Sequence, residues 1–408
     1  MTGRYLAMWL LWAALLAVLP WLWTGHTALN VLSQMGIAVI ACLSYAVLLG
    51  QGGMLSFGHA VYSGLGAYAA MHWMLRVQDM GWTMPTPWLP LVGGLGGLVV
   101  AAVLGYLNSR RAGTAFAMIS LGLGELLYAV ALRFADVFGG VAGLSANRVS
   151  PPNVWGWTWG PAIEVYYLIA AYTLLCMVVV DVLRRGPLGL ALRAVRDNPL
   201  RASALGYNPA QVRYAGLLLS GAMAGVAGGL WAVLFEFVTP EVLSPVRSGA
   251  YLVFTYVGGL AGLAGPVLGG VLMVLSFNWL STLTGAWMLY VGLLFVWVVL
   301  YAPGGVAGVV AQGWRAVREW GLVAAAVRVV ALWRLLLAAA FAAMALVAAV
   351  EMAFHAQMNV ALGPVMHGWW GEVDVTHAAP WAAVLCLAAL GAALWVWGSK
   401  RQANKVVA

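Results

Sequence analysis

The chain is written in long, uninterrupted apolar runs separated by short polar intervals. The runs cover residues 5–23, 28–49, 60–75, 88–107, 114–134, 161–183 and 214–237, and then 251–275, 287–301, 332–350 and 381–397. A helix needs about 20 apolar residues to cross the hydrocarbon of a bilayer, whereas a spanning β-strand alternates polarity residue by residue. Continuous runs therefore predict an all-α, polytopic transmembrane helix bundle. The run at 251–275 is the irregular one, because GGLAGLAGPVLGG fills its middle.

Composition agrees with the pattern and removes the alternatives. Of 408 residues, 64% are apolar and 8% are charged, against about half and about a quarter in ordinary soluble chains. No water-soluble core shelters that much apolar surface, so lipid has to be the solvent. Soluble enzymes, disordered chains and disulfide scaffolds are excluded by the same numbers. Cys42, Cys176 and Cys386 each lie inside an apolar run with no CxxC spacing and read as buried thiols. The first run follows Arg4 and has no small-x-small cleavage site after it, so it reads as a retained first helix.

The net charge of +8 comes from 20 Lys and Arg against 12 Asp and Glu, and in a membrane chain its placement matters more than its sum. It calls for a bilayer, not for nucleic acid. Basic residues cluster at Arg110 and Arg111, at Arg184, Arg185, Arg193, Arg196, Arg201 and Arg213, from Arg315 to Arg334, and at Lys400, Arg401 and Lys405. With Arg4 inside, the second and third positions follow four and six crossings and are also inside. After the seventh run the chain is outside, beside Glu236 and Glu241, yet the Arg315 to Arg334 cluster belongs inside. The stretch at 251–281 must therefore enter and return, broken at 258–266, or cross twice in short pieces. The last two runs go out and back, leaving Glu351 to His377 outside.

Three polar interruptions carry candidate chemistry. In GQGGMLSFGHAVYSGLGAY (50–68), glycines alternate with Gln51, Ser56 and His59 between two apolar runs. A broken helix is the inference, since unwound backbone at membrane depth is tolerated only beside protein or a water-filled cavity. Ser56, Gly58, His59, Tyr62, Gly66 and Tyr68 are then candidates for a substrate pathway. Small-residue helix packing of the GxxxG kind accounts for most of the glycines on the plainer reading, with His59 a hydrogen-bonded interior residue. Glu125 lies about three turns into its run, where a charge is expected to face the bundle interior and meet a substrate ammonium, a half-helix or a structural partner. Gly139, Gly140 and Gly143 follow at the outer mouth as a gate or a plain loop.

The longest basic interval, 184–213, reads RRGPLGLALRAVRDNPLRASALGYNPAQVR. Asn198 caps a helix with Pro199 at its first position, Gly206 stops it, and Asn208 with Pro209 starts the next. A helix that short does not hold its shape alone in water, so it docks on a partner or lies on anionic headgroups.

These stretches, with YAPGGVAGVV at 301–310, resemble in order the permease subunits of ABC importers for branched-chain amino acids, over residues 28 to 310. An aromatic-led run before GLGE, followed by GG-x-x-G, resembles the M-type partner more than the H-type. The resemblance implies a multi-pass protein of the bacterial inner membrane with broken or re-entrant segments. It would form half of a translocation path with a second, homologous permease, receive cargo from a periplasmic solute-binding protein, and be driven by two cytoplasmic ABC ATPase subunits. It also implies that Arg193, Arg196, Asn198, Pro199, Arg201, Ala202, Ala204, Leu205 and Gly206 form the coupling helix. Ser203 stands where an acidic residue is common in the family.

The only lysines, Lys400 and Lys405, follow no glycine-rich loop, so ATP is expected on partner chains, with no cofactor and no metal on this one. No HExxH, GxSxG or paired-carboxylate constellation marks an enzyme. Residues 1–310 then form the permease domain and 311–408 an extension of two further helices and a basic segment. His355, His367 and His377, spaced by 12 and 10 residues, do not form a compact ligand pair. Urea or a short amide is the alternative cargo. A membrane scaffold or membrane-embedded enzyme, with the basic segment as its working part, is the alternative class.

Overall fold

A computed structural model describes residues 2–23, 25–81, 85–149, 157–260, 262–331, 333–358, 365–368 and 371–407. The chain is helical almost throughout. α1 (Thr2–Leu22) and α2 (His26–Ala46) come first, α2 running on through a π turn at Val47–Gln51. α3 (Ala60–Met80), α4 (Leu89–Asn108), α5 (Thr114–Arg133) and a single turn, α6 (Ala135–Phe138), follow. Then come α7 (Ala162–Arg185), α8 (Pro187–Asp197), α9 (Pro199–Ala204), α10 (Pro209–Phe235), α11 (Pro245–Gly258) and α12 (Ala264–Leu275). A second π turn, Ser276–Leu280, leads into α13 (Ser281–Leu283), α14 (Trp287–Tyr301), α15 (Gly305–Ala331), α16 (Trp333–Met358) and α17 (Ala378–Val407). Two short antiparallel ladders pair β1 (Leu144–Ser145) with β2 (Phe237–Val238), and β3 (Val365–Gly368) with β4 (Gly371–Asp374). Among the described residues, eight helical stretches are long and apolar enough to cross a bilayer. The chain divides into two compact units, Met1–Asn278 with Leu294–Gly308, and Trp279–Leu293 with Val309–Ala408.

In the first unit α2 is the central post. Every residue from Ile37 to Leu48 is buried, which a helix achieves only when neighbours cover it on all sides. α7, α10, α11 and α12 do so. The ends sort as the charges require. Tyr5 at the start of α1 donates to Asp181 near the end of α7 (2.9 Å), and the Arg185 guanidinium stacks on the Tyr5 ring at 4.7 Å. Tyr214 at the start of α10 donates to the Ala102 carbonyl near the end of α4. At the opposite end Thr86 donates to the Arg148 carbonyl, and Tyr68 to that of Phe138.

After α10 the chain doubles back as a helical hairpin, α11 against α12, and the second limb continues through the π turn to Leu283, long enough to be one of the eight stretches above. α11, at 14 residues, is about 21 Å long, too short for a hydrocarbon core of about 30 Å. α12 runs back along it. A Cβ at Gly258 would sit 2.1 Å from the Gly265 carbonyl oxygen, and one at Gly269 would sit 2.3 Å from that of Phe254. The turn packs on the 304–305 glycines, where a Cβ at Gly259 would lie 2.3 Å from the Gly304 oxygen. Two motifs distant in sequence, GGLAGLAGPVLGG and YAPGGV, thus meet.

The second unit is centred on Ala345, Met352, Met366, Val375 and Val384, contributed by α16, α17 and the β3–β4 hairpin. Glu351 accepts from the Thr284 hydroxyl and, at 2.8 Å, from Tyr290 Oη. Glu351 and His355 belong to α16, so the outer loop begins only after Met358 and is shorter than the sequence indicated. In that loop the Thr376 hydroxyl and amide hydrogen bonds hold the Asp374 carboxyl below the usual carboxylate range. The basic segment forms part of a long helix, α15. The side chains at 320–336 and 394–408, with that of His367, lie outside the described residues.

Candidate functional site

The break between α2 and α3 lies in the middle of the first unit. Gly53 turns the chain with φ +63°, and residues 52–59 leave the helix. Backbone in that state needs partners from elsewhere in the fold, and α5, α11 and α2 supply them, while α10 bonds the end of α2 just before it. Ser120 Oγ of α5 accepts from the Phe57 amide (3.0 Å), and Ser248 Oγ of α11 accepts from the Ala60 amide (2.9 Å). Tyr45 of α2 donates to the Ser56 carbonyl (2.9 Å), and Ser220 of α10 to that of Ser44 (2.7 Å).

His59 sits fully buried at this junction, its ring edge-to-face with Tyr45, Tyr62 and Tyr251 at centroid distances of 4.9, 5.7 and 6.3 Å. Ser44 spends its hydroxyl proton on the Ala41 carbonyl, so at 2.8 Å it accepts from His59 Nε2–H. His59 Nδ1 and Ser56 Oγ have no hydrogen-bond partner in the protein. Ser56, His59 and Tyr62 are thus gathered into one polar centre.

The other pathway candidates go elsewhere. Gly58 lets α5 approach, since a Cβ there would lie 2.2 Å from the Ser120 carbonyl oxygen, and Gly66 belongs to a glycine seam with Gly225. Tyr68 reaches the outer loop, its ring 4.9 Å from that of Phe138. Gly139, Gly140 and Gly143 take φ of +74°, +57° and +74°, forming a turn that the β1–β2 ladder and the Arg148–Glu236 ion pair (3.7 Å) hold in place.

Glu125 lies on a flank of α5 that this chain alone leaves uncovered. The buried residues of α5 are Phe116, Ala117, Ser120, Gly124 and Ala131. One residue beyond Gly124 is about 100° round the helix, and Glu125 is exposed on that flank.

Below the break, α8 is fastened directly to it. Arg196 donates to the Gly50 carbonyl (2.6 Å), and Arg193 donates to Gln51 Oε1 (2.9 Å) and to the Arg184 carbonyl (3.0 Å). Leu192, fully buried, packs on Gly52 and Gly216, with Cβ positions 3.7 and 2.8 Å from its Cδ2. The stretch from Arg193 to Gly206 is therefore not one helix. Asn198 ends α8 and caps α9, its Oδ1 accepting from the Arg201 amide at 3.0 Å, and Gly206 (φ +89°) closes α9. Ala202 alone of α9 is buried, while Leu200 and Leu205 are 83% and 72% exposed. Asn198→Ala is expected to cost roughly 0.5–2 kcal/mol of local helix stability, read as faster hydrogen exchange at the Arg201 amide with the bundle unchanged.

Towards the outer end, a cavity of about 440 Å³ opens between α2, α5, α10 and the α11–α12 hairpin. Ile37, Met273, Val274 and Phe277 form an apolar wall, and Glu241, Arg247 and Tyr251 bring polar groups. The Arg247 guanidinium lies 3.8 Å over the Trp231 ring, and its Nε donates to Tyr251 Oη (3.2 Å). Sequence reading missed this site, although signals were present. Ser244-Pro245 repeats the cap-and-proline signature of Asn198-Pro199, with Ser244 Oγ accepting from the Arg247 amide. Arg247 is also one of few cations towards the outer end, Arg133 and Arg148 among the others, where the positive-inside bias disfavours them. Among the described residues no group of three metal-ligating side chains assembles.

Comparison with known proteins gives a consistent picture. The family model described as branched-chain amino acid transport system / permease component matches residues 27–303. The high-affinity branched-chain amino acid transport system permease protein LivM of Salmonella typhimurium is 28% identical over 305 residues, 68% of each chain. The probable branched-chain amino acid transport permease protein LivH of Methanocaldococcus jannaschii is 26% identical over 62% of this chain and 83% of its own. The guanosine ABC transporter permease protein NupQ of Bacillus subtilis is 26% identical over 50% and 69%. No solved structure is significantly similar to the chain.

Proposed function

The chain belongs to the family of permease components of branched-chain amino acid transport systems, and from that premise we propose that it carries hydrophobic amino acids as half of an ATP-driven importer. It is a multi-pass protein of the bacterial inner membrane. On this reading its partners are a second, homologous permease, two cytoplasmic ABC ATPases and a periplasmic solute-binding protein. Hydrolysis takes place on the ATPases, so this chain moves cargo and breaks no bond.

The observation that carries the reading is the fastening of α8 to the α2–α3 break through Arg193 and Arg196. Leu200 of α9 and Leu205, which caps its end, are bare on the same loop. Exposed leucines on a six-residue helix and its cap are costly in water and are covered when a partner docks. Motion imposed on α9 by a partner reaches the break through α8, with no flexible linker between them.

Leu200→Asp together with Leu205→Asp is expected to abolish ATPase co-purification and to reduce leucine uptake to background, while the chain stays folded in the membrane. The measurement is radiolabelled leucine, isoleucine and valine uptake in cells that depend on this chain, with pull-down of the tagged protein. Normal uptake and a retained ATPase would remove α9 from the coupling role.

A further inference from the structure

We propose that the outer cavity is a binding site for a zwitterionic, hydrophobic α-amino acid, its carboxylate on Arg247, its ammonium on Glu241 and its side chain on the Ile37, Met273, Val274 and Phe277 wall. The proposal rests on the transport reading above and deepens it by placing the cargo.

The two charges are the decisive feature. Glu241 and Arg247 line the same cavity, yet among the described residues neither forms an ion pair, with the other or with a third group. Opposite charges held apart around an apolar surface match a ligand that is itself dipolar and apolar. A neutral cargo such as urea would give neither charge an ionic partner and would displace water from the half-buried Arg247 without replacing it by a carboxylate, while the exposed Glu241 would keep its water. Arg247 is also positioned in advance. Stacking on Trp231 and the Nε bond to Tyr251 fix the plane of the guanidinium, and its terminal N–H groups then present a fork suited to a carboxylate. The N-terminus of α11 lies beside it and adds positive potential to the same end.

The cavity volume of about 440 Å³ falls within the range of roughly 300–1,000 Å³ typical of small-molecule clefts. Tyr251 joins the site to the rest of the path, since its ring also packs on His59 at the break. The site thus meets the break through Tyr251 and His59, and α8 meets the other side of the break through Arg193 and Arg196.

The test titrates the full-length chain in lipid nanodiscs with L-leucine, leucinamide, 4-methylpentanoate and urea, with binding read by thermophoresis. Leucinamide keeps the ammonium without the carboxylate, and 4-methylpentanoate the reverse. In the wild type, leucine is expected to bind at least about tenfold more tightly than either half-ligand, since each lost charged hydrogen bond is of that size, and urea not at all. Arg247→Gln should weaken leucine and 4-methylpentanoate by at least about tenfold and leave leucinamide unchanged; Glu241→Gln should weaken leucine and leucinamide and leave 4-methylpentanoate unchanged. Arg247→Lys, which keeps the charge, should restore part of the leucine affinity.

Equal wild-type affinity for leucine, leucinamide and urea overturns the proposal whatever the variants do. So does wild-type leucine affinity in both glutamine variants. Chain-dependent leucine uptake in cells, with no leucine binding to this cavity, would remove the site and leave the transport reading intact. Absence of chain-dependent uptake of any hydrophobic amino acid would remove the transport reading itself.

Discussion

Arg196→Ala is expected to lower leucine uptake by at least about tenfold while leaving the protein folded, because the two roles of this side chain differ greatly in size. Its structural role is a hydrogen bond from Nη1 to the Gly50 carbonyl at 2.6 Å, besides an exposed ion pair with its neighbour Asp197 that adds little to stability. A bond to a charged donor contributes about 1.5–3 kcal/mol, and less where water replaces the lost donor. Arg196 is exposed at the end of the bundle, so water reaches the freed carbonyl and the loss in stability falls below that range. Its mechanical role is shared with Arg193, but that bond ends on the side chain of Gln51 and not on the backbone of the turn. The Gly50 carbonyl belongs to the π turn that ends α2, and Arg196 ties α8 to it across 146 residues of sequence.

Gly53→Ala should have the same consequence for an independent reason. Its φ of +63° disfavours any side chain, and a Cβ there would lie 2.5 Å from Arg196 Cγ. Arg193→Ala is expected to be milder, since α8 keeps the Arg196 bond and the Leu192 contacts. The assay reconstitutes the transporter in proteoliposomes and measures uptake and ATP hydrolysis together. ATP hydrolysis should continue without uptake in the Arg196 variant. A normal ratio of cargo moved to ATP consumed would show that α8 does not transmit the motion through this residue.

What the sequence disclosed and what it concealed divide along a physical line. Local rules worked where the determinant is local. Asn198 and Asn208 both accept from backbone amides at the helix starts that their Asn-Pro signatures marked, and Gly258 to Pro266 contains the reversal that charge parity demanded. The same rules stop short where the answer depends on which face of a helix meets a neighbour. Depth fixes the cost of a charge at Glu125 and not its azimuth, which within this chain is an exposed flank of α5. The π turn at Val47–Gln51 and the helix α8 were not foreseen. Arg193 and Arg196 read as docking residues for a partner, whereas their nearest partners are Gln51 and Gly50 of the same chain, more than 140 residues away. Arg247 and Glu241 lie only six residues apart, but the cavity they share needs α2, α5 and α10 to close it.

Gly228→Val is expected to prevent the chain from folding, at a cost of about 3 kcal/mol or more, the upper end of core overpacking. A Cβ at Gly228 would lie 1.8 Å from the Ser63 carbonyl oxygen and 2.8 Å from the Ala67 nitrogen, both backbone atoms of α3, so no side chain can swing aside. α10 and α3 would have to separate by more than an ångström. That movement would open the adjoining seam, where Gly93 and Gly97 of α4 and Gly66 of α3 already meet Gly225 with Cβ positions of 2.3–2.9 Å to backbone atoms. Inside a bilayer no hydrophobic force restores the contact, because lipid tails are as apolar as the helix surfaces, and association rests on close packing. Even Gly228→Ala should lower the melting temperature sharply. Gly122→Ala on α5 is the control. Nothing lies within 4 Å of its Cβ position, so the helix propensity of alanine should make that variant neutral or about 0.5–1 kcal/mol more stable. Thermal melting of the purified chains, followed by size-exclusion fluorescence, separates these outcomes. A Gly228→Ala protein that melts with the wild type would mean that α3 and α10 are not in backbone contact, and that the break between α2 and α3 is held by something other than this seam.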